Sequence, residues 1–68
     1  MANFILPLAA MERLLRKGGA ERVSESAKEA LREVLEEYAD QISAKSVKFA
    51  LHSGRKTVKS ADIKLAAK

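Results

Sequence analysis

ESAKEALREVLEEYADQISAKSVKFALHS, residues 25–53, runs for 29 residues without a proline or a glycine, and its reading decides the fold. Ser24 precedes it as a good N-cap, with Glu25 in the first turn. Apolar side chains at Ala27, Leu31, Val34, Leu35, Tyr38 and Ile42, then Val47, Phe49, Ala50 and Leu51, form a broad stripe that widens toward the C-terminal half. Acids dominate the first half while Lys45 and Lys48 lie in the second, which matches the helix dipole. At ~1.5 Å per residue such a helix spans about 43 Å. A compact chain of this length has a radius of gyration of only ~11 Å and a diameter of about 30 Å. The helix is too long for the globule its own chain can make, so a second copy or a similar chain is expected to pack across the stripe.

Breaking signals flank this stretch. Gly18-Gly19 and the polar residues up to Ser24 separate it from a first helical segment, Leu8 to Lys17, in which Leu8, Met11, Leu14 and Leu15 share a face. Pro7 stands near the start of that segment, where its missing N–H does no harm. Ser53-Gly54 and GRKTVK lead into a third segment, with Ser60 as its expected N-cap, Asp62 in its first turn, and Ile63, Leu65 and Ala66 as its apolar face. The expected architecture is all-α in a single domain over 1–68: short helix, loop, long central helix, loop, short helix. No repeat or low-complexity tract interrupts it.

The 68 residues contain 47% hydrophobic and 32% charged side chains with a formal net charge of +4, which excludes disordered and fibrous classes. A chain this small buries only roughly 60% of its unfolded surface and usually needs a staple. Cysteine is absent, which removes disulfides and thiolate metal sites and leaves oligomerisation. The apolar start MANFILPLAAM has no basic residue before it and is interrupted by Pro7, far short of the ~20 residues a span requires. A soluble, cytoplasmic protein with no membrane role and nothing to cleave is expected.

Charge is unevenly placed: residues 1–17 carry +2, residues 18–24 zero, the long segment −2, and residues 54–68 +4. The excess sits on the ends and loops, where lysines and arginines either solvate a surface or meet a polyanion. A pI near 9.7 with clustered cations favours the polyanion.

Enzyme chemistry finds no constellation. A phosphate-binding loop ending at Lys56-Thr57 needs glycines where Arg55 and Ala50 stand. His52 is the one histidine, with nothing to complete a metal site or an activated nucleophile, and reads as a hydrogen-bonding or interface residue. Glu29, Glu33, Glu36 and Glu37, with Lys28 and Arg32 nearby, read as a solvated helix face. Tyr38 falls on the apolar stripe and is expected in the core. No cofactor, metal or catalytic residue is expected.

LPLAAMERL (6–14), GAERVSESA (19–27), LEEYA (35–39) and HSGRKTVKSADIKLA (52–66) together resemble the archaeal histone family, from about Leu6 to the C-terminus without a gap. The resemblance implies the histone fold: a handshake homodimer, or a heterodimer with a paralogue, that bends and compacts double-stranded DNA in the nucleoid and associates further into tetramers or longer stacks. It implies that the loops meet across the dimer as a short parallel bridge, Arg22-Val23-Ser24 against Thr57-Val58-Lys59 of the partner. Arg22 would enter the minor groove, held by Thr57; Lys56 and Arg13 would meet phosphate; Ser24, Lys59, Arg16 and Lys17 complete the implied DNA-contacting set. Arg55 and Asp62 would brace the second loop. Phe49, His52, Asp62 and Leu65, with Leu51 beside them, would lie between dimers. The arginines of nucleosomal histones enter the groove without base-specific contacts, so affinity would follow phosphate neutralisation and change with salt by ~0.9 log units per log salt for each phosphate.

There are departures. Ala10 stands where a second proline is usual, Leu51 where a charged residue precedes the histidine, and the third helix ends at Lys68 without further basic residues. Two other classes fit a small basic chain. A protein-interaction module of the same fold would often lack the DNA-facing arginines, which Arg13 and Arg22 argue against. A sequence-specific dimeric repressor would need a recognition helix, and no helix face reads as one.

Overall fold

The computed structural model describes residues 4–68. They form α1 (Leu8–Lys17), α2 (Glu25–His52) and α3 (Ser60–Ala66), with no strand among the described residues. The chain divides into two compact units, one ending at Glu37 and one running from Tyr38 to Lys68.

In the first unit, α1 opens at Pro7, whose carbonyl accepts the N–H groups of Ala10 at 3.2 Å and Met11 at 3.4 Å. Arg16 and Lys17 occupy its last turn, at the negative end of its dipole. Gly19, at φ 112°, closes the helix: its N–H reaches the Arg16 carbonyl and the next N–H, of Ala20, reaches that of Leu15. This double bond pattern satisfies carbonyls the helix end would otherwise strand. The Ser24 hydroxyl then accepts the Ala27 N–H at 3.1 Å and caps α2. Met11 is the buried centre of this unit. The chain before α1 is strapped to α2, because one carboxylate oxygen of Glu36 accepts the N–H groups of both Ile5 and Leu6 at 2.8 Å. The Arg32 guanidinium lies 4.2 Å over the Phe4 ring, a cation–π arrangement. Glu29, Glu33 and Glu37 are exposed, but Glu36 holds backbone and is half-buried; the solvated-face reading does not apply to it.

The second unit is built on Ser46 and Ala50 of α2 and Asp62 and Ala66 of α3, all buried. Ser46 and Ala50 are one helical turn apart, and their small side chains are covered completely. The Ser46 hydroxyl donates its single proton to the Ile42 carbonyl at 2.7 Å. Gly54, at φ 74°, ends α2 as Gly19 ends α1: its N–H reaches the Leu51 carbonyl and that of Arg55 reaches the Ala50 carbonyl, both at 2.9 Å. The N-cap of α3 is Lys59, one residue before the serine expected there. The Asp62 carboxylate accepts the Lys59 N–H at 2.8 Å and fixes the boundary from inside the helix. Lysine offers no acceptor in return, so this is half of a capping box.

Met11, Ala50 and Ala66 are the buried apolar residues among those described, while Val34 is 62%, Leu51 61% and Tyr38 52% exposed in the single chain. Tyr38 therefore lies on the apolar stripe without being covered by its own chain. A fully buried side chain of methionine size contributes roughly 1.5–3 kcal/mol. Ordering the backbone costs about 1–2 kcal/mol for each residue. Three buried apolar residues set little against that cost in the single chain. None of the helices is long and apolar enough to cross a membrane, among the described residues.

Candidate nucleic-acid interface

Each unit presents one cationic loop. In the first, α1 and residues 18–24 carry Arg13, Arg16, Lys17 and Arg22, all exposed. Arg22 and Ser24 border a shallow groove whose other walls are Leu15, Ala20, Val23 and Ala27. In the second, residues 53–59 carry Lys56, Thr57 and Lys59, all exposed, while Arg55 turns inward and is half-buried.

The acids sort these cations into two groups. Arg16 pairs with Glu12 at 3.1 Å, Lys28 with Glu12 at 3.2 Å and Glu25 at 2.6 Å, and Arg55 with Asp62 at 3.0 Å. Arg13, Lys17, Arg22, Lys56 and Lys59 have no carboxylate partner among the described residues. A cation already bonded to a carboxylate adds little to the field an incoming polyanion meets, and an unpaired one adds its full charge.

The pairs hold the loops in shape. Arg55 grips both Asp62 oxygens, Nη1 to Oδ2 at 3.1 Å and Nη2 to Oδ1 at 3.0 Å, and its Nη1 also donates to the Thr57 carbonyl at 2.9 Å. The Asp62 side chain is 7% exposed. The Arg55 hydrogen bonds, then the Lys59 N–H, hold its carboxyl below the usual range, against the opposite pull of burial. The Arg55 guanidinium is correspondingly pushed up, chiefly by Asp62. On the first loop, hydrogen bonds from Arg16 and then Lys28 lower the Glu12 carboxyl. Lys28 is raised, first by its bond to Glu25 and then by Glu12. The Glu12 cluster is readable in part from the linear order, since Glu12 and Arg16 stand at the i,i+4 spacing that joins side chains on a helix. Glu25 and Lys28 stand at the i,i+3 spacing as well, but nothing in that order foretells the reach of Lys28 to Glu12.

Backbone polarity in both loops is left over. Val23 and Val58 make no backbone hydrogen bond through either N–H or C=O among the described residues. Both flank exposed cations. The sites expected between dimers fall in the second unit, where Leu51, His52 and Leu65 are exposed and Phe49 is half-buried. Asp62 is already engaged on both carboxylate oxygens. The described residues contain no cluster of His, Cys, Asp and Glu that could hold a metal ion.

Residues 4–67 match the family model for histone-like transcription factors (CBF/NF-Y) and archaeal histones. Over 63 residues the chain is 59% identical to an archaeal histone HAN1 subunit of Thermococcus zilligii, covering 93% of this chain and 94% of that protein. It is 52% identical over 61 residues to probable archaeal histone 3 of Methanocaldococcus jannaschii, covering 90% of this chain and 91% of the relative. The helix order, short then long then short, is that of the histone fold. Members of this family are structural DNA-binding proteins that dimerise and are not enzymes. The chain belongs to the family of histone-like transcription factors and archaeal histones and is a DNA-binding chromatin protein.

Proposed function

We propose that residues 1–68 act as a single histone-fold domain in an obligate dimer, with itself or with a paralogue, that bends, wraps and compacts double-stranded DNA largely without regard to sequence. The observation that carries this reading is the sorting of the cations: the loops keep Arg22, Lys56 and Lys59 unpaired and exposed while Glu12, Glu25 and Asp62 are taken up by Arg16, Lys28 and Arg55. In the dimer the first loop of one protomer lies beside the second loop of its partner, and the unbonded backbone of Val23 and Val58 forms the short bridge between them. Arg22 enters the minor groove, Thr57 steadies it, and Arg13, Lys17, Lys56 and Lys59 meet phosphate. Ser24 accepts the Ala27 N–H as the cap of α2 and shares a 3.2 Å hydrogen bond with the Ser26 hydroxyl; with Ser26 as its donor, Ser24 offers phosphate its own proton. The Thermococcus relative is itself named as one subunit of a histone, which supports a partner chain here.

Dimers associate further through Phe49, Leu51, His52, Asp62 and Leu65, and Asp62 also shapes the second loop. The complex resides on the chromosome in the cytoplasm. Competition binding tests the reading. Random duplexes displace a bound duplex in proportion to their concentration, and Arg22→Ala or Lys56→Ala lowers affinity and the salt slope, by ~0.9 for each phosphate no longer neutralised, with the dimer still folded. A preferred site that survives large excess of random DNA would identify a sequence-specific regulator instead. Nuclease digestion of the reconstituted complex then reports, by protected lengths, how many dimers associate.

A further inference from the structure

We propose that Arg16 is a positioning residue that orients the first DNA-contacting loop, and not a phosphate contact; the inference rests on the DNA-binding reading above. Its Nε donates to Glu12 at 3.1 Å and its Nη1 donates to the Glu21 carbonyl at 3.0 Å. That carbonyl belongs to the peptide group whose N–H is Arg22's, and the group is planar. Gripping the carbonyl therefore sets the direction in which the backbone delivers Arg22.

Glu12 is itself held. Its other oxygen accepts Lys28 Nζ at 3.2 Å, and Lys28, 12% exposed, also pairs with Glu25 at 2.6 Å. These bonds tie the last turn of α1, the loop and the first turn of α2 into one piece. Two cations and two carboxylates make it locally neutral, so it adds nothing to the field that attracts DNA. The second loop is built the same way: Arg55 takes the Asp62 carboxylate and, through Nη1, the carbonyl of Thr57. In each loop an arginine joins a carboxylate to a loop carbonyl beside the residues that face DNA.

The test is binding of random-sequence duplex DNA over a salt series by the full-length protein and by Arg16→Lys, Arg16→Ala and Glu12→Gln, each checked for folding by its melting curve. Lysine has the charge but cannot span both acceptors in the fixed fork of a guanidinium. Arg16→Lys and Arg16→Ala are expected to lose roughly fivefold in affinity, about 1 kcal/mol, with the wild-type salt slope retained. Glu12→Gln removes a negative charge, which by charge alone would tighten binding; it is expected to weaken it. Wild-type affinity in Arg16→Lys together with a slope reduced by ~1.8 per dimer in Arg16→Ala would make Arg16 a phosphate contact and overturn the inference. So would tighter binding by Glu12→Gln. Wild-type affinity in all three variants also overturns it. Failure of the wild-type protein itself to bind duplex DNA would instead overturn the functional reading, and the positioning role with it.

Discussion

Arg55 and Asp62 meet through two parallel hydrogen bonds, of 3.1 and 3.0 Å, across a turn that separates them by seven residues. The same carboxylate receives the Lys59 N–H, so one side chain closes the second loop and caps the third helix. Asp62→Ala removes both functions at once and leaves Arg55 half-buried without its partner. The melting temperature of the dimer is expected to fall by several degrees, and Arg55→Lys, with a point charge in place of a planar fork, is expected to fall nearly as far. Thermal unfolding followed by circular dichroism at neutral pH checks both. A native melting curve for Asp62→Ala would reject the brace.

Acid sensitivity follows from this pair and from Glu12 with its two cations. The Asp62 and Glu12 carboxyls are held below their ordinary values, ~3.9 for aspartate and ~4.3 for glutamate. A carboxyl lowered in the folded state contributes stability above its unfolded value and loses that contribution as pH falls through its folded value. Melting temperature should thus be nearly level from neutral pH to about 5 and drop below about 4. Lys28 has the opposite sign: raised in the fold, it contributes below its unfolded value of ~10.4 and fades only as pH rises beyond. Asp62→Asn should melt lower than wild type at pH 7, and the gap should close at strongly acid pH. A gap that stays constant would show that the charge of Asp62 is immaterial.

Val34 is exposed in the single chain but lies on the apolar stripe of α2. On a monomer, Val34→Asp would be a tolerated surface change, within about ±0.5 kcal/mol. In a dimer that covers the stripe it buries an unpaired carboxylate, a cost of several kcal/mol against a total stability of ~5–15 kcal/mol. Sedimentation equilibrium is expected to find the variant dissociated and circular dichroism to find it largely unfolded, with Glu33→Gln, on an exposed position of the same helix, unchanged. A folded, dimeric Val34→Asp would place the interface elsewhere.

Gly54 adopts φ 74°, and a Cβ added there would meet nothing within 4 Å. Gly54→Ala therefore isolates the conformational cost of the left-handed backbone, roughly 1–2 kcal/mol per chain. Gly19 has equal space but φ 112°, outside the left-handed well that other residues visit, so Gly19→Ala should lower the melting temperature further than Gly54→Ala. Equal losses would mean that the two turns relax on substitution.

The element boundaries are legible in the sequence because they depend on local chemistry. Pro7, Gly19, Ser24 and Gly54 each act on their own few residues, and α1 begins and ends where they dictate. The start of α3 reads one residue late. Serine is a good cap by its own side chain, but here the acceptor comes from Asp62, three residues beyond the cap. Periodicity likewise identifies the apolar face of α2 without saying which chain covers it, and so Tyr38, expected inside, is exposed in the single chain. For the candidate interface, composition locates the excess charge on the loops. It does not separate cations engaged by carboxylates from those left unpaired, because Lys28 reaches Glu12 across two helices.

The small interior of one chain, Met11, Ala50 and Ala66, has a consequence for supply. A protein whose folded form exists only in association has a stability set by its own concentration. A chain without a partner is expected to be cut by proteases faster than one that has paired. Resistance to proteolysis is accordingly expected to rise with the concentration of the protein itself.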